Sequence, residues 1–149
     1  MKSSILKTFS LALIGMFLLG SCNGNQSEKI SEDVSEPSAT RIEVIYFFGK
    51  QRCSSCVAME RFAKEAVDSA FEDKAKEGFI KFKSVDITTP EGERLADLFE
   101  VTSSSIFIVD NNPDKPEKVD MTAFGFRYAR NNRQVYKQGI IDQINKFLD

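Results

Sequence analysis

The sequence predicts an α/β domain over residues 42–149, and three features predict it. Ile42-Glu43-Val44-Ile45-Tyr46-Phe47-Phe48 is a nearly continuous apolar run rich in β-formers, the pattern of a strand buried on both faces. After Cys53 the apolar spacing changes to a helical period. Two more β-forming runs follow, separated by a helix with a clear start signal. The expected order is βαβ, then a helix, then ββα: a central four-stranded mixed sheet flanked by helices.

Each element has its own reason. The strand at 42–48 is broken by Gly49. Met59, Phe62, Ala63, Ala66, Ala70 and Phe71 fall on one face of a helix running to about residue 77, with Gly78 as its stop. Residues 79–87 form the second strand. Thr89-Pro90-Glu91 starts the next helix with a capping hydroxyl, Pro in the first turn and an acid. That helix is expected to turn Leu95, Leu98 and Phe99 inward. Residues 105–110 form the third strand, and Asn111-Asn112-Pro113-Asp114 is a turn. A fourth strand is expected over about 117–124, returning antiparallel, with Phe126 and Tyr128 in the core. Asn131 or Asn132 caps a last helix bearing Val135, Ile140, Ile141, Ile144, Phe147 and Leu148.

The segment before this domain reads as targeting and tether. Lys2 and Lys7 precede the apolar run 8–20, which is short for a membrane span, so residues 1–21 fit a secretory signal. The run ends in Leu19-Gly20-Ser21-Cys22, which resembles the bacterial lipobox, whose Cys becomes the lipidated first residue. An ordinary signal peptide or an uncleaved anchor remains the alternative. Residues 22–41 are rich in Ser and acids, with Pro37, and read as a lipidated Cys22 plus a flexible tether. The expectation is an exported domain, outside the cytoplasm, anchored to a bacterial membrane.

Composition closes several routes. There is no His, which excludes His-based triads, a His general base and His metal sites. Lys and Arg number 20 against 22 Asp and Glu, so no basic excess points to nucleic acid. There is no internal repeat and no Gly-rich phosphate loop.

With Cys22 assigned to lipid, two of the three cysteines remain. Cys53-Ser54-Ser55-Cys56 follows a buried strand and opens a helix, where a C-x-x-C pair has redox chemistry. The spacing lets both sulfurs share the first helical turn. The first Cys then faces free backbone N–H groups at the positive end of the helix dipole. In such settings a thiol pKa falls from ~8.5 to roughly 3.5–7.5. Arg52 and Lys50 add positive charge, and Ser54 and Ser55 supply hydroxyls within the loop. Cys53 is therefore expected to attack a disulfide and Cys56 to resolve the mixed disulfide. No cofactor beyond a redox-active disulfide is implied. The alternatives are a static disulfide and a soft-metal or arsenic site on Cys53 and Cys56.

Residues 42–149 resemble the thioredoxin superfamily. The resemblance rests on strand, C-x-x-C and helix, then a strand ending in Val85-Asp86-Ile87, a helix with Leu95-Ala96 and Phe99-Glu100-Val101, and a further strand. It implies a minimal version of that fold, thiol–disulfide exchange, and a protein disulfide or an electron donor or acceptor as partner. More narrowly, residues 48–56 and Gly125-Phe126-Arg127-Tyr128-Ala129-Arg130-Asn131-Asn132 resemble nitrophenyl-compound nitroreductase subunits of arsenic-resistance gene clusters. That resemblance implies an accessory subunit beside a reductase.

The sequence departs from thioredoxins at three places. The loop is Arg-Cys-Ser-Ser-Cys, without Pro. The family's buried acid falls at Phe47, leaving Glu60 or water as proton acceptor. The family's cis-Pro aligns with Ser105, give or take one residue, so Ser103–Ser105 are expected near the sulfurs. Arg127, Arg130, Arg133 and Lys137 form either an anion or acidic-partner site or a solvated helix face.

Overall fold

The computed structural model describes residues 40–149. The expected signal segment, Cys22 and all but the end of the tether lie outside the described residues. The elements are β1 (Ile42–Phe48), α1 (Ser54–Ala70), α2 (Glu72–Lys76), β2 (Ile80–Asp86), α3 (Pro90–Phe99), β3 (Ser105–Asp110), β4 (Glu117–Asp120), α4 (Thr122–Tyr128) and α5 (Arg133–Leu148).

The sheet has four strands in the order β2-β1-β3-β4. β1 runs parallel to β2 and antiparallel to β3, and β4 is antiparallel to β3. The expected mixed sheet with flanking helices is therefore present, an α/β architecture. Strand pleating divides the core. Ile42, Val44 and Tyr46 pack in one cluster with Met59 and Ala63 of α1 and with Tyr136, Ile140 and Ile144 of α5. Ile45 and Phe47 point to the other face, against Ala96 and Phe99 of α3. β1 is buried by helices on both sides, as its apolar run required.

Several expectations change in detail. The helix after Cys53 stops at Ala70, not near 77, because Phe71 leaves the helical region (φ −131, ψ 34) while its ring enters the core. The short α2 follows, and Gly78, at φ +75, ends it in the left-handed region that glycine tolerates. The fourth strand covers only Glu117–Asp120. Residues 122–124, expected as its end, open α4 instead. Asp120 Oδ1 accepts from Thr122 N at 2.7 Å and turns the chain into the helix. Phe124 and Tyr128, four residues apart, then pack on one side with their rings tilted and centroids 4.9 Å apart. A Cβ at Gly125 would overlap Met59 Sδ, so glycine lets α4 lie against α1.

Leu98, expected inward, is 74% exposed. The buried stripe of α3 runs through Gly92 and Ala96, with Leu95 and Phe99 beside it, and Leu98 lies off that stripe. Val135 is exposed for the same reason, since α5 buries Tyr136, Ile140, Ile144 and Phe147. Thr89 and Asn132 do cap α3 and α5, accepting from Gly92 N and Val135 N.

The expected tether ended at residue 41, but Arg41 belongs to the domain. Its backbone N donates to Phe79 O at 2.9 Å. Its guanidinium pairs with the buried Asp110 carboxylate and donates to Phe147 O at 3.1 Å. Among the described residues, no helix is long and apolar enough to cross a membrane.

Candidate functional site: a disulfide at the start of α1

β1 ends at Phe48, and the chain crosses Gly49–Arg52 before entering α1. Cys53 is the N-cap residue of α1, with extended backbone (φ −72, ψ 162). Its Sγ accepts from Cys56 N at 3.0 Å, so the sulfur occupies the place of a capping oxygen. Cys53 and Cys56 form a disulfide with Cα atoms 5.0 Å apart. Cys53 is exposed and Cys56 is 6% exposed. One sulfur therefore meets solvent while the other is covered by the domain. The first turn of α1 carries no acid that would oppose a thiolate.

A shallow groove of about 440 Å³ runs beside the sulfurs, lined by Gln51, Arg52, both cysteines, Ser103, Ser104 and Phe126. Ser103 and Ser104 lie there as expected. Ser105 does not line it: Ser105 is buried at the start of β3, opposite Phe47, and its hydroxyl donates to Ser103 O at 3.2 Å. Its role is to shape the loop that carries its neighbours. Ser54 is exposed and Ser55 half-buried in the first turn of α1.

Phe126 was expected in the core, yet it is 42% exposed at the groove. The reading of residues 117–124 as one strand hid it, because it is α4 that carries Phe126 to the sulfurs. The signal available in the sequence was the spacing of Met121, Phe124 and Tyr128, which is helical rather than alternating.

The electrostatics differ from the simple expectation. Arg52 was expected to lend charge to Cys53. Its guanidinium instead pairs with Glu60 and lies 4.6 Å from the centroid of the Phe48 ring. The Glu60 hydrogen bond, above all, holds the Arg52 proton more firmly than usual, against a smaller effect of burial. Glu60 Oε1 also accepts from Ser84 Oγ at 2.6 Å. Glu60 is therefore engaged by two partners and is not a free proton acceptor for Cys56.

Phe47 stands where the resemblance places an acid. It is fully buried, with ring centroids 5.2 Å from Phe99 and 6.0 Å from Phe107. Among the described residues there is no group of three or more His, Cys, Asp or Glu side chains placed to hold a metal ion. The basic residues near the start of α5 do not converge on the groove lining. Lys137 pairs with Glu65, and the Arg133 guanidinium lies 6.0 Å from the Phe62 ring.

Several solved structures are similar to the chain, including the following two. One is the solution structure of a thioredoxin from Thermus thermophilus, at 20% identity and a TM-score of 0.49, covering 72% of this chain and 76% of that one. The other is a malarial protein, at 21% identity and a TM-score of 0.41, covering 66% of this chain and 96% of that one. No protein-family model and no curated protein matches the chain.

A mixed four-stranded sheet carries a C-x-x-C disulfide at the N-terminus of its first helix. That combination supports a thiol–disulfide oxidoreductase.

Proposed function

We propose that the protein is a membrane-tethered thiol–disulfide oxidoreductase of the cell envelope, with Cys53 as nucleophile and Cys56 as resolving thiol. The observation that carries the redox part is the asymmetric disulfide: an exposed Cys53 capping α1 and a buried Cys56 one turn on. Free N–H groups at the helix start favour a thiolate at Cys53 and leave Cys56 as the thiol that closes the cycle.

In the reducing direction, the Cys53 thiolate attacks one sulfur of a substrate disulfide. A Cys53–substrate bond forms, the substrate S–S bond breaks, and the second substrate sulfur leaves as thiolate. Cys56 then loses its proton to solvent and attacks Cys53 Sγ. The Cys53–Cys56 bond re-forms, the substrate leaves as a second thiolate, and two electrons have passed to it. The same steps in reverse oxidise a substrate dithiol. A protein disulfide, or a thiol electron donor or acceptor, is the partner this chemistry needs. Outside the cytoplasm, a reducing role requires a membrane electron donor to restore the dithiol.

The location rests on the sequence. Lys2, Lys7, the apolar run 8–20 and Cys22 support export and lipid attachment, with residues 23–39 as the tether. Fatty-acid labelling of the full chain tests it: label retained after Cys22→Ala overturns the anchor. The narrower resemblance to arsenic-cluster nitroreductase subunits would make a reductase the partner. It rests on residues 48–56 and 125–132 alone.

The deciding experiment is titration of the domain in graded thiol–disulfide buffers, read by alkylation and mass shift. A reversible two-electron transition, with Cys56→Ser trapping covalent partners on Cys53, is the expected result. A dithiol that forms no intramolecular disulfide and captures no partner overturns the enzyme reading. Titration with Cu(I) or trivalent arsenic would then test the binding alternative.

A further inference from the structure

The residue before Cys53 is an arginine that lines the same groove as both sulfurs. Among the described residues it is the only charged side chain in that lining. Lys50 does not line the groove, and its charge contributes to holding the Asp86 carboxyl below its usual range, behind the larger effect of Thr88. On the α4 side, Arg127 faces the Tyr128 ring at 6.0 Å, while Ser103, Ser104 and Phe126 are uncharged. The guanidinium of Arg52 is thus the cation best placed to stabilise a Cys53 thiolate.

Three contacts draw it elsewhere. The Phe48 ring lies beneath it at 4.6 Å and the Tyr46 ring at 5.8 Å. Glu60, two turns along α1 from Cys53, takes the ion pair. Ser84 of β2 donates to the other oxygen of Glu60, which fixes the carboxylate against the sheet. A screened surface ion pair is weak alone, but an aromatic floor and a second anchor give this one a defined geometry.

We propose that Glu60 is a positioning residue: with Ser84 it holds Arg52 back over Phe48, withholds that charge from Cys53, and so sets the acidity of the nucleophile. The inference rests on the reading of Cys53 as the attacking thiol. It makes the pair Arg52–Glu60, rather than the loop residues Ser54 and Ser55 alone, a determinant of thiol reactivity. Releasing Arg52 yields a more acidic Cys53 and a disulfide that is a stronger oxidant, because the reduced form is stabilised.

The test is the pH dependence of Cys53 alkylation in the fully reduced protein, for wild type, Glu60→Gln, Arg52→Gln and the double variant. In Glu60→Gln the Cys53 pKa should fall by about half a unit, the size expected of one unit charge in a high-dielectric setting a few ångströms beyond contact. Below that pKa the thiolate fraction should rise about threefold and, because a less basic thiolate is a weaker nucleophile, alkylation should quicken about twofold; the shift should shrink in high salt. In the double variant, the pKa should return to the wild-type value. An unchanged or raised pKa in Glu60→Gln overturns the proposal. So does a fall that persists in the double variant, since Glu60 would then act through its own charge. Should Glu60→Gln fail to fold, Ser84→Ala removes only the anchor of Glu60 and should shift the pKa in the same direction by less; no shift there overturns the proposal. Failure of the functional reading looks different: wild-type Cys53 would then show no exchange with disulfides at all.

Discussion

Reducing the Cys53–Cys56 bond should lower the stability of the domain by about 2 kcal/mol at pH 5. The bond joins residues three apart, so it closes a loop of four residues. The chain-entropy relation gives about 2 kcal/mol at 25 °C for a loop that short. At pH 5 unfolded thiols are protonated, so this term is the main one. As pH rises, a second term opposes it. Cys53 caps α1, and its thiolate in the reduced native state meets free N–H groups and a first turn with no acid. A thiol whose pKa is lower in the folded state stabilises that state above its unfolded pKa, and the effect disappears as pH falls through the folded value. The gap between oxidised and reduced stability should therefore narrow from pH 5 to pH 9. A gap of 2 kcal/mol corresponds to about 40 mV in the two-electron potential of folded relative to unfolded dithiol. Urea unfolding of both forms, with Cys53→Ser/Cys56→Ser as the bond-free reference, measures it. Equal stability at pH 5 would refute the loop-closure reasoning. A gap that does not change with pH would refute the placing of the thiolate at the helix start.

Three further outcomes are expected. Gly92→Ala should lower stability by about 1–3 kcal/mol in thermal or urea unfolding, because a Cβ there would overlap the Asp86 carbonyl oxygen at the β2–α3 connection, which is backbone and cannot swing aside. Asp110→Asn should remove part of the acid sensitivity of the fold. The Arg41 hydrogen bond, above all, holds the Asp110 carboxyl below the usual carboxylate range, so its stabilising effect is full above that range and fades as pH falls through the lowered value; wild type and variant should differ at pH 7 and converge in acid, and parallel profiles would refute this. Phe126→Ala should leave the unfolding midpoint within about 0.5 kcal/mol of wild type, since the ring is largely exposed, while slowing reduction of peptide disulfides severalfold; an unchanged rate would remove Phe126 from the substrate groove.

Periodicity and start signals made most of the frame legible. β1, the cap at Thr89, the strand at 105–110 and the stop at Gly78 all follow from local chemistry, and the C-x-x-C spacing anticipated the pair that closes a disulfide at the start of α1. What escaped was decided by tertiary packing. Phe71 breaks a helix that its neighbours would continue, because its ring is taken into the core. The helical spacing of Met121, Phe124 and Tyr128 is too short to decide against a strand by itself, and Asp120 and the fit of Gly125 against Met59 fix the turn into α4. The pairing of Arg52 with Glu60 spans eight residues across a loop and a helix start, and no sequence rule for i,i+4 pairs reaches it. The partner of Arg41, at position 110, is set by the β1–β3 register and by the end of α5.

The absence of an acid at position 47 has a chemical consequence for the proposed cycle. Resolution requires Cys56 to lose its proton, and Cys56 is almost wholly covered. Phe47 sits in an aromatic cluster with Phe99 and Phe107 and cannot accept that proton. Glu60, the substitute suggested by the sequence, is committed to Arg52 and Ser84. Attack by Cys53 is helped by the helix start, but attack by Cys56 is left to hydroxide or solvent base. The two half-reactions should thus respond differently to pH. Formation of the mixed disulfide should saturate once Cys53 is ionised, whereas its resolution should keep rising with pH until the Cys56 thiol itself ionises. In mildly acidic solution the covalent intermediate should outlive its formation, so that acid quenching of the wild-type protein traps it without Cys56→Ser. Fast resolution at pH 5, level with that at pH 8, would mean that some group close to Cys56 takes the proton after all.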